Sequence, residues 1–200
     1  APVPVLDVPL RCLVPNAEAA AARALARPGE RWCHAENRFL RGVAGLLFWD
    51  VLFWPEPRLY PSPLQRGPTD VGTWSFEPRR RPWLAARLAA LVAGRDPWPA
   101  VLARHDTWRG HANPWVPWRR LDRALLEAAA ACIGPAELAI LLMPLLRTPD
   151  LRPRGLPDLL FLDPAARRFR LVEVKGPGDR LQAHQRAWLH HLAGAGIDVA

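Results

Sequence analysis

Gly155-Leu156-Pro157-Asp158-Leu159-Leu160-Phe161-Leu162-Asp163, joined through Pro164-Ala165-Ala166-Arg167 to Arg168-Phe169-Arg170-Leu171-Val172-Glu173-Val174-Lys175, decides the fold. Both arms are short apolar runs of strand character, and the Asp163–Arg167 link reads as a hairpin connection. Pairing Leu162 with Phe169 sets an antiparallel register that puts Asp158 opposite Glu173. Side chains two apart on a strand share a face, so Glu173 and Lys175 point the same way, toward Asp158. Gly176-Pro177-Gly178-Asp179 then makes a tight turn with a ready N-cap. A helix follows over 179–193, with Leu181, Gln185, Trp188 and Leu192 on one stripe, and residues 197–200 begin another strand. The expected core over 155–200 is therefore β-β-α-β, an α/β arrangement of a small mixed sheet flanked by helices.

Two acids held side by side repel unless a cation lies between them. Hard carboxylate oxygens suit Mg²⁺ or Mn²⁺, with the Val174 carbonyl as a further ligand and Lys175 set to assist an attacking water or a phosphate. A bare Asp…Glu-x-Lys is more often a salt-bridged surface hairpin. Pro157 and the Gly-Pro-Gly turn shift that balance toward a site. Gln185 is a polar residue on an apolar stripe, either a hydrogen-bonded core amide or a site residue aimed at the sheet. Glu36 extends the stripe Leu40, Val43, Leu47, either as a first-turn acid favoured by the helix dipole or as a third metal-directed carboxylate.

Upstream of the hairpin the pattern is helical. Residues 1–15 are Pro-rich and extended, 16–27 form an Ala-rich helix closed by Pro28-Gly29, and 35–53 form a long helix. Residues 54–80, with six prolines, are a loop ending in Arg79-Arg80-Arg81. Helices are expected over 82–93, 97–107, 119–132 and 135–147. Residues 1–34 thus read as a lead-in, the end of an upstream region. Residues 35–200 read as one domain, with a helical part over 35–147 before the catalytic core.

The 200-residue chain carries a formal charge of +8, and half of it is apolar, enough for a core. Such a basic balance favours polyanionic partners. Arg79, Arg80, Arg81, Arg119, Arg120 and Arg180 are the candidate phosphate contacts. The segment Trp108–Trp118, with His111 and Asn113, is either a base-stacking surface or a packed corner between helices. Lys175 is the only lysine in an Arg-rich chain, as suits a position needing a compact ammonium. Cys12, Cys33 and Cys132 are too scattered for a disulfide framework or a zinc site, which points to a reducing cytoplasm. No apolar run is long enough to span a bilayer. No Gly-x-x-x-x-Gly-Lys-Ser/Thr loop is present, which argues against ATP hydrolysis; neither a membrane nor a small-molecule cofactor is expected. The chain begins without Met and ends within a strand-like run, as a piece of a longer protein would.

Gly-Leu-Pro-Asp158-Leu, Leu-Val-Glu173-Val-Lys175-Gly-Pro-Gly-Asp-Arg-Leu and Gln185-x-x-Trp188 resemble the VRR-NUC domain of the PD-(D/E)xK nuclease superfamily, with its restriction-endonuclease-like core. Glu36-Asn-Arg-Phe-Leu-Arg-Gly-Val-Ala-Gly-Leu-Leu-Phe-Trp49-Asp50-Val-Leu-Phe53 narrows the likeness to the C-terminal part of the Fanconi-associated nuclease family, in a bacterial form. The resemblance covers about residues 30–200. It implies a DNA endonuclease preferring 5′ flaps, with 5′-to-3′ exonuclease activity, serving interstrand-crosslink repair on nucleoid DNA. It also implies one or two Mg²⁺ or Mn²⁺ ions bound by Glu36, Asp158 and Glu173, with Lys175 catalytic. Flap or branched DNA is the implied partner. Two rivals remain: a non-catalytic DNA-binding or scaffold domain of the same fold, and a metal-dependent RNase. No residue here distinguishes ribose from deoxyribose.

Overall fold

The computed structural model describes residues 3–8, 17–148 and 154–200. In chain order its elements are α1 (Ala17–Leu25), β1 (Arg31–His34), a π turn (Ala35–Phe39), α2 (Leu40–Leu47), α3 (Trp49–Leu52), a 3₁₀ turn (Pro57–Leu59), α4 (Phe76–Val92), α5 (Trp98–Trp108), α6 (Arg123–Cys132), α7 (Pro135–Leu146), β2 (Leu159–Asp163), β3 (Arg168–Val172) and α8 (Ala183–Gly194). They divide into two compact units, one of residues 1–36, 128–133 and 154–200, the other of 37–127 and 134–153.

In the first unit the hairpin has the expected register, with Leu162 paired to Phe169 and Leu159 to Val172. β1 adds antiparallel to the free edge of β2, with Arg31 opposite Leu162 and His34 opposite Leu159. On the far edge, Leu171 and Glu173 donate to the Asp198 and Ala200 carbonyls at 2.9 and 2.8 Å, and Ala200 N–H returns to Leu171 at 3.0 Å. This isolated parallel bridge flanks a three-stranded antiparallel sheet. Its alternating faces are both covered. Leu159, Phe161 and Val172 pack with Ala21 and Ala22 of α1. On that face Arg170 lies 4.0 Å over the Phe161 ring, donates to the Leu25 carbonyl and pairs with Glu30 at 2.8 Å. Residues 17–34 are therefore not a lead-in; they supply a helix and an edge strand to the sheet that the hairpin builds. A four-residue strand shows too little alternation to be read against its Pro- and Ala-rich surroundings. Residues 9–16, with Cys12, lie outside the described residues.

In the second unit α2 packs on α5 and α7, and α4 packs on α7 and α3. The single helix expected over 35–53 is a π turn and two α segments, broken at Phe48 (φ −103°, ψ 24°). The break is held by guanidiniums. Arg104 Nη1 donates to the Leu46 and Leu47 carbonyls at 3.0 and 2.6 Å, and Arg87 and Arg104 both pair with Asp50. A Cβ at Gly45 would stand 2.7 Å from Val116, so α2 accepts the 113–118 segment only without a side chain there.

α4 begins six residues earlier than the prolines suggest, so Arg79, Arg80 and Arg81 are helical. Pro78 falls in the first turn, where a missing N–H costs nothing. Arg80 then fixes the helix: it is fully buried, bonded twice to Asp70 at 2.6 and 3.1 Å, to the Val51 carbonyl at 2.9 Å, and lies 4.2 Å from the Phe76 ring. No single helix among the described residues is long and apolar enough to cross a membrane.

Candidate active site

Asp158 stands one residue before β2, where β1 is still paired: Ala35 N–H donates to the Asp158 carbonyl at 2.8 Å. Its carboxylate Oδ2 accepts from Val174 N–H at 2.8 Å, across the hairpin as the register requires. Glu173 Oε1 accepts from Lys175 Nζ and from Gln185 Nε2, each at 2.5 Å. Lys175 Nζ also lies 3.4 Å from the Val174 carbonyl, which therefore faces the same space. Gln185 is locked at its other end, since its Oε1 accepts from Gln182 N–H at 2.9 Å in a capping box at the start of α8. Gly155 lets this helix start approach: at φ +87°, a Cβ would sit 2.8 Å from Gln185 N and 2.6 Å from His184.

Glu36 enters from the π turn, a local distortion often met at functional sites. Its carboxylate is hydrogen-bonded by Gly155 N–H. Burial raises its pKa first, and the charges of Asp158 and Glu18 raise it further. Asp158 is raised likewise, by burial above all and then by Glu18, against the relief given by Val174 N–H. Glu173 shows the largest effect: burial, with Asp158 and Glu36 nearby, pushes its carboxyl to about 7 despite the hydrogen bond from Lys175. Burial above all, with repulsion among the acids added to it, marks a cluster short of positive charge.

Glu36, Asp158, Glu173, Val174, Lys175 and Gln185 thus gather in the first unit. No three His, Cys, Asp or Glu side chains among the described residues converge at single-ion ligand distance, with Glu173 turned to Lys175 and Gln185. The donor chemistry nonetheless fits a divalent cation: half-buried carboxylates, each raised by burial and then by another's charge, and a backbone carbonyl beside them. Sequence reasoning missed Glu18, whose Oε2 lies 2.9 Å from His34 Nδ1. An acid in an Ala-rich helix has no polar or apolar stripe to show where it points.

The basic and aromatic candidates fare unevenly. Arg80 offers DNA nothing, because it is enclosed and spent on Asp70. Arg79, Arg119, Arg120, Arg180 and His111 are exposed, and Arg81 is exposed beside Glu77, its i,i+4 partner. Asn113 braces the chain instead, accepting from Trp115 N–H at 2.9 Å and donating to the Gly45 carbonyl at 3.2 Å. The Trp-rich segment is mainly a packed corner. Trp115 is buried edge-on to Phe76, Trp108 stacks on Trp49 with centroids 5.4 Å apart, and Trp118 donates to the His111 carbonyl at 2.7 Å.

Comparison with known proteins shows what the chain as a whole is similar to. The VRR-NUC domain model matches residues 99–200. The chain is 37% identical over 178 residues to the Fanconi-associated nuclease 1 homolog of Pseudomonas aeruginosa, covering 88% of this chain and 31% of that protein. It is 35% identical over 175 residues to human Fanconi-associated nuclease 1, covering 83% of this chain and 17% of that protein. The crystal structure of paFAN1 bound to DNA with a 2-nucleotide 5′ flap and a gap superimposes with a TM-score of 0.84 at 33% identity. It covers all of this chain and 37% of that one. The fold class expected from the hairpin is thereby established. The chain spans a third or less of the length of these two curated relatives.

Proposed function

Since the chain belongs to the VRR-NUC family, we propose that it hydrolyses DNA phosphodiester bonds with Mg²⁺ or Mn²⁺, cutting 5′ flaps and degrading 5′ to 3′ in interstrand-crosslink repair on bacterial nucleoid DNA. One observation carries this reading: Glu173, with Lys175 and Gln185 each 2.5 Å from its carboxylate, is pushed to a pKa of about 7 by burial first and then by the charges of Asp158 and Glu36. Flap preference draws on the relatives, since paFAN1 is seen on 5′-flap DNA.

Asp158, Glu173, Glu36 and the Val174 carbonyl would hold the cation, which supplies Lewis-acid polarisation of the phosphate and of water when bound. Gln185 keeps the Glu173 carboxylate from turning away. Val174 N–H does the same for Asp158. Lys175 offers a point charge and protons toward the non-bridging phosphate oxygens, and it orients the attacking water. Arg180, exposed just past the Gly176–Asp179 turn, is the phosphate contact in the same unit. Arg79, Arg81, Arg119, Arg120 and His111 are DNA contacts in the other.

The test is cleavage of a labelled 5′-flap duplex with Mn²⁺, by the wild type and Asp158→Ala, with EDTA controls and an RNA flap alongside. Metal-dependent cutting of DNA that falls on the order of a thousandfold in Asp158→Ala supports the reading. Cutting that survives the substitution overturns the site. Binding without cutting assigns the chain to the scaffold class, and preference for the RNA flap makes it an RNase.

A further inference from the structure

Glu18 lies in the first turn of α1, where the helix dipole alone would favour an acid. A residue placed there only for the dipole runs out into solvent. Glu18 instead turns to His34, with Oε2 2.9 Å from Nδ1. His34 ends β1, directly before Ala35, whose N–H holds the Asp158 carbonyl at 2.8 Å, and two residues before Glu36. His34 is paired with Leu159, which belongs to the apolar cluster beneath α1. Glu18 therefore approaches by the α1 face of the sheet, while Gln185 reaches Glu173 from α8. Its charge is felt by both Asp158 and Glu36, whose carboxyls it helps to raise.

We infer that Glu18 is a fourth carboxylate of the divalent-metal centre, a positioning residue aimed by His34 at the Glu36–Asp158 side. The inference rests on the nuclease reading above. With Glu18 the acids around this centre number four, an excess of negative charge that draws in a hard, hydrated divalent ion. Supporting groups just outside a coordination sphere commonly tune metal affinity by about 10–100-fold. Sequence spacing cannot show this member, because it acts through a histidine on a different element.

The test is calorimetric titration of the 200-residue chain with Mn²⁺ in the absence of DNA, for the wild type, Glu18→Gln, Glu18→Asp, His34→Ala and Asp158→Ala. Thermal melting of each metal-free variant runs in parallel. Glu18→Gln is expected to bind Mn²⁺ about tenfold more weakly. Glu18→Asp, which keeps the charge, should recover most of that loss. His34→Ala, which frees the charge without removing it, should weaken binding less than Glu18→Gln does. If Glu18→Gln binds Mn²⁺ as the wild type does while Asp158→Ala does not, Glu18 is only a surface acid paired with His34, and the inference fails alone. If Asp158→Ala also binds normally, the metal-centre reading falls and takes the inference with it. A lower melting temperature for Glu18→Gln with no recovery of Mn²⁺ affinity in Glu18→Asp would place Glu18 in the stability of α1, also against the inference.

Discussion

Replacing Glu173 by Gln should make the protein more stable while it destroys the site. The side chain of Glu173 is 4% exposed, and its carboxyl sits at about 7 against an ordinary 4.5. That rise corresponds to about 3 kcal/mol of preference for the neutral form in the folded state. The folded protein therefore holds this proton more tightly than the unfolded chain does. The destabilisation is absent below about 4.5, grows as pH rises toward 7, and is complete above it. Gln keeps the shape and the acceptor that Lys175 Nζ and Gln185 Nε2 use at 2.5 Å. It removes the buried charge and its repulsion with Asp158 and Glu36, and it loses the ionic part of the Lys175 pair. We expect a net gain of about 1–3 kcal/mol at pH 8, read from urea midpoints in EDTA, and almost none at pH 4. Added Mn²⁺ should raise the wild-type midpoint by linkage, about 2.7 kcal/mol at a hundred times Kd, and leave Glu173→Gln unmoved. A variant destabilised equally at both pH values would refute the reasoning, because Glu173 would then be a stabilising ion-pair partner of Lys175.

Gln185→Leu removes a donor from the Glu173 carboxylate, so the acid limb of the pH–rate profile should move to higher pH, measured as kcat/KM against pH. Gly155→Ala forces a left-handed residue and a Cβ 2.8 Å from Gln185 N. We expect a loss of about 2 kcal/mol or more in urea unfolding, with flap cleavage falling because α8 carries Gln185. Arg80→Ala should cost about 3–5 kcal/mol by leaving Asp70 buried and unpaired, whereas Arg79→Ala should change stability by no more than about 0.5 kcal/mol. In DNA binding, Arg79→Ala should lower the slope of log affinity against log salt by about one.

The legible part of this protein was the part made by near neighbours in the chain. Strand alternation and a short turn dictated that Leu162 meets Phe169, and from that register alone Asp158, Glu173 and Lys175 had to share a face. Gln185 was visible as the wrong polarity on an apolar stripe. Such features are periodic and local, and periodicity survives in a linear sequence.

What escaped was decided by partners distant in sequence. Arg170 meets Glu30 across 140 positions, and nothing in either neighbourhood encodes the pairing. β1 is a strand because β2 has an edge to be paired, not because residues 31–34 are insistently strand-like. Arg79, Arg80 and Arg81 look alike in sequence, yet only Arg80 faces Asp70 and is lost to solvent. Glu18 joins the site through His34, by way of a sheet that brings α1 and the Glu36 turn together. The sequence by itself determined the hairpin register that brings Asp158, Glu173 and Lys175 to one face. Tertiary structure decided which charges are buried, which are paired and which are left to act, because desolvation and charge–charge energies depend on distances that only the folded chain sets.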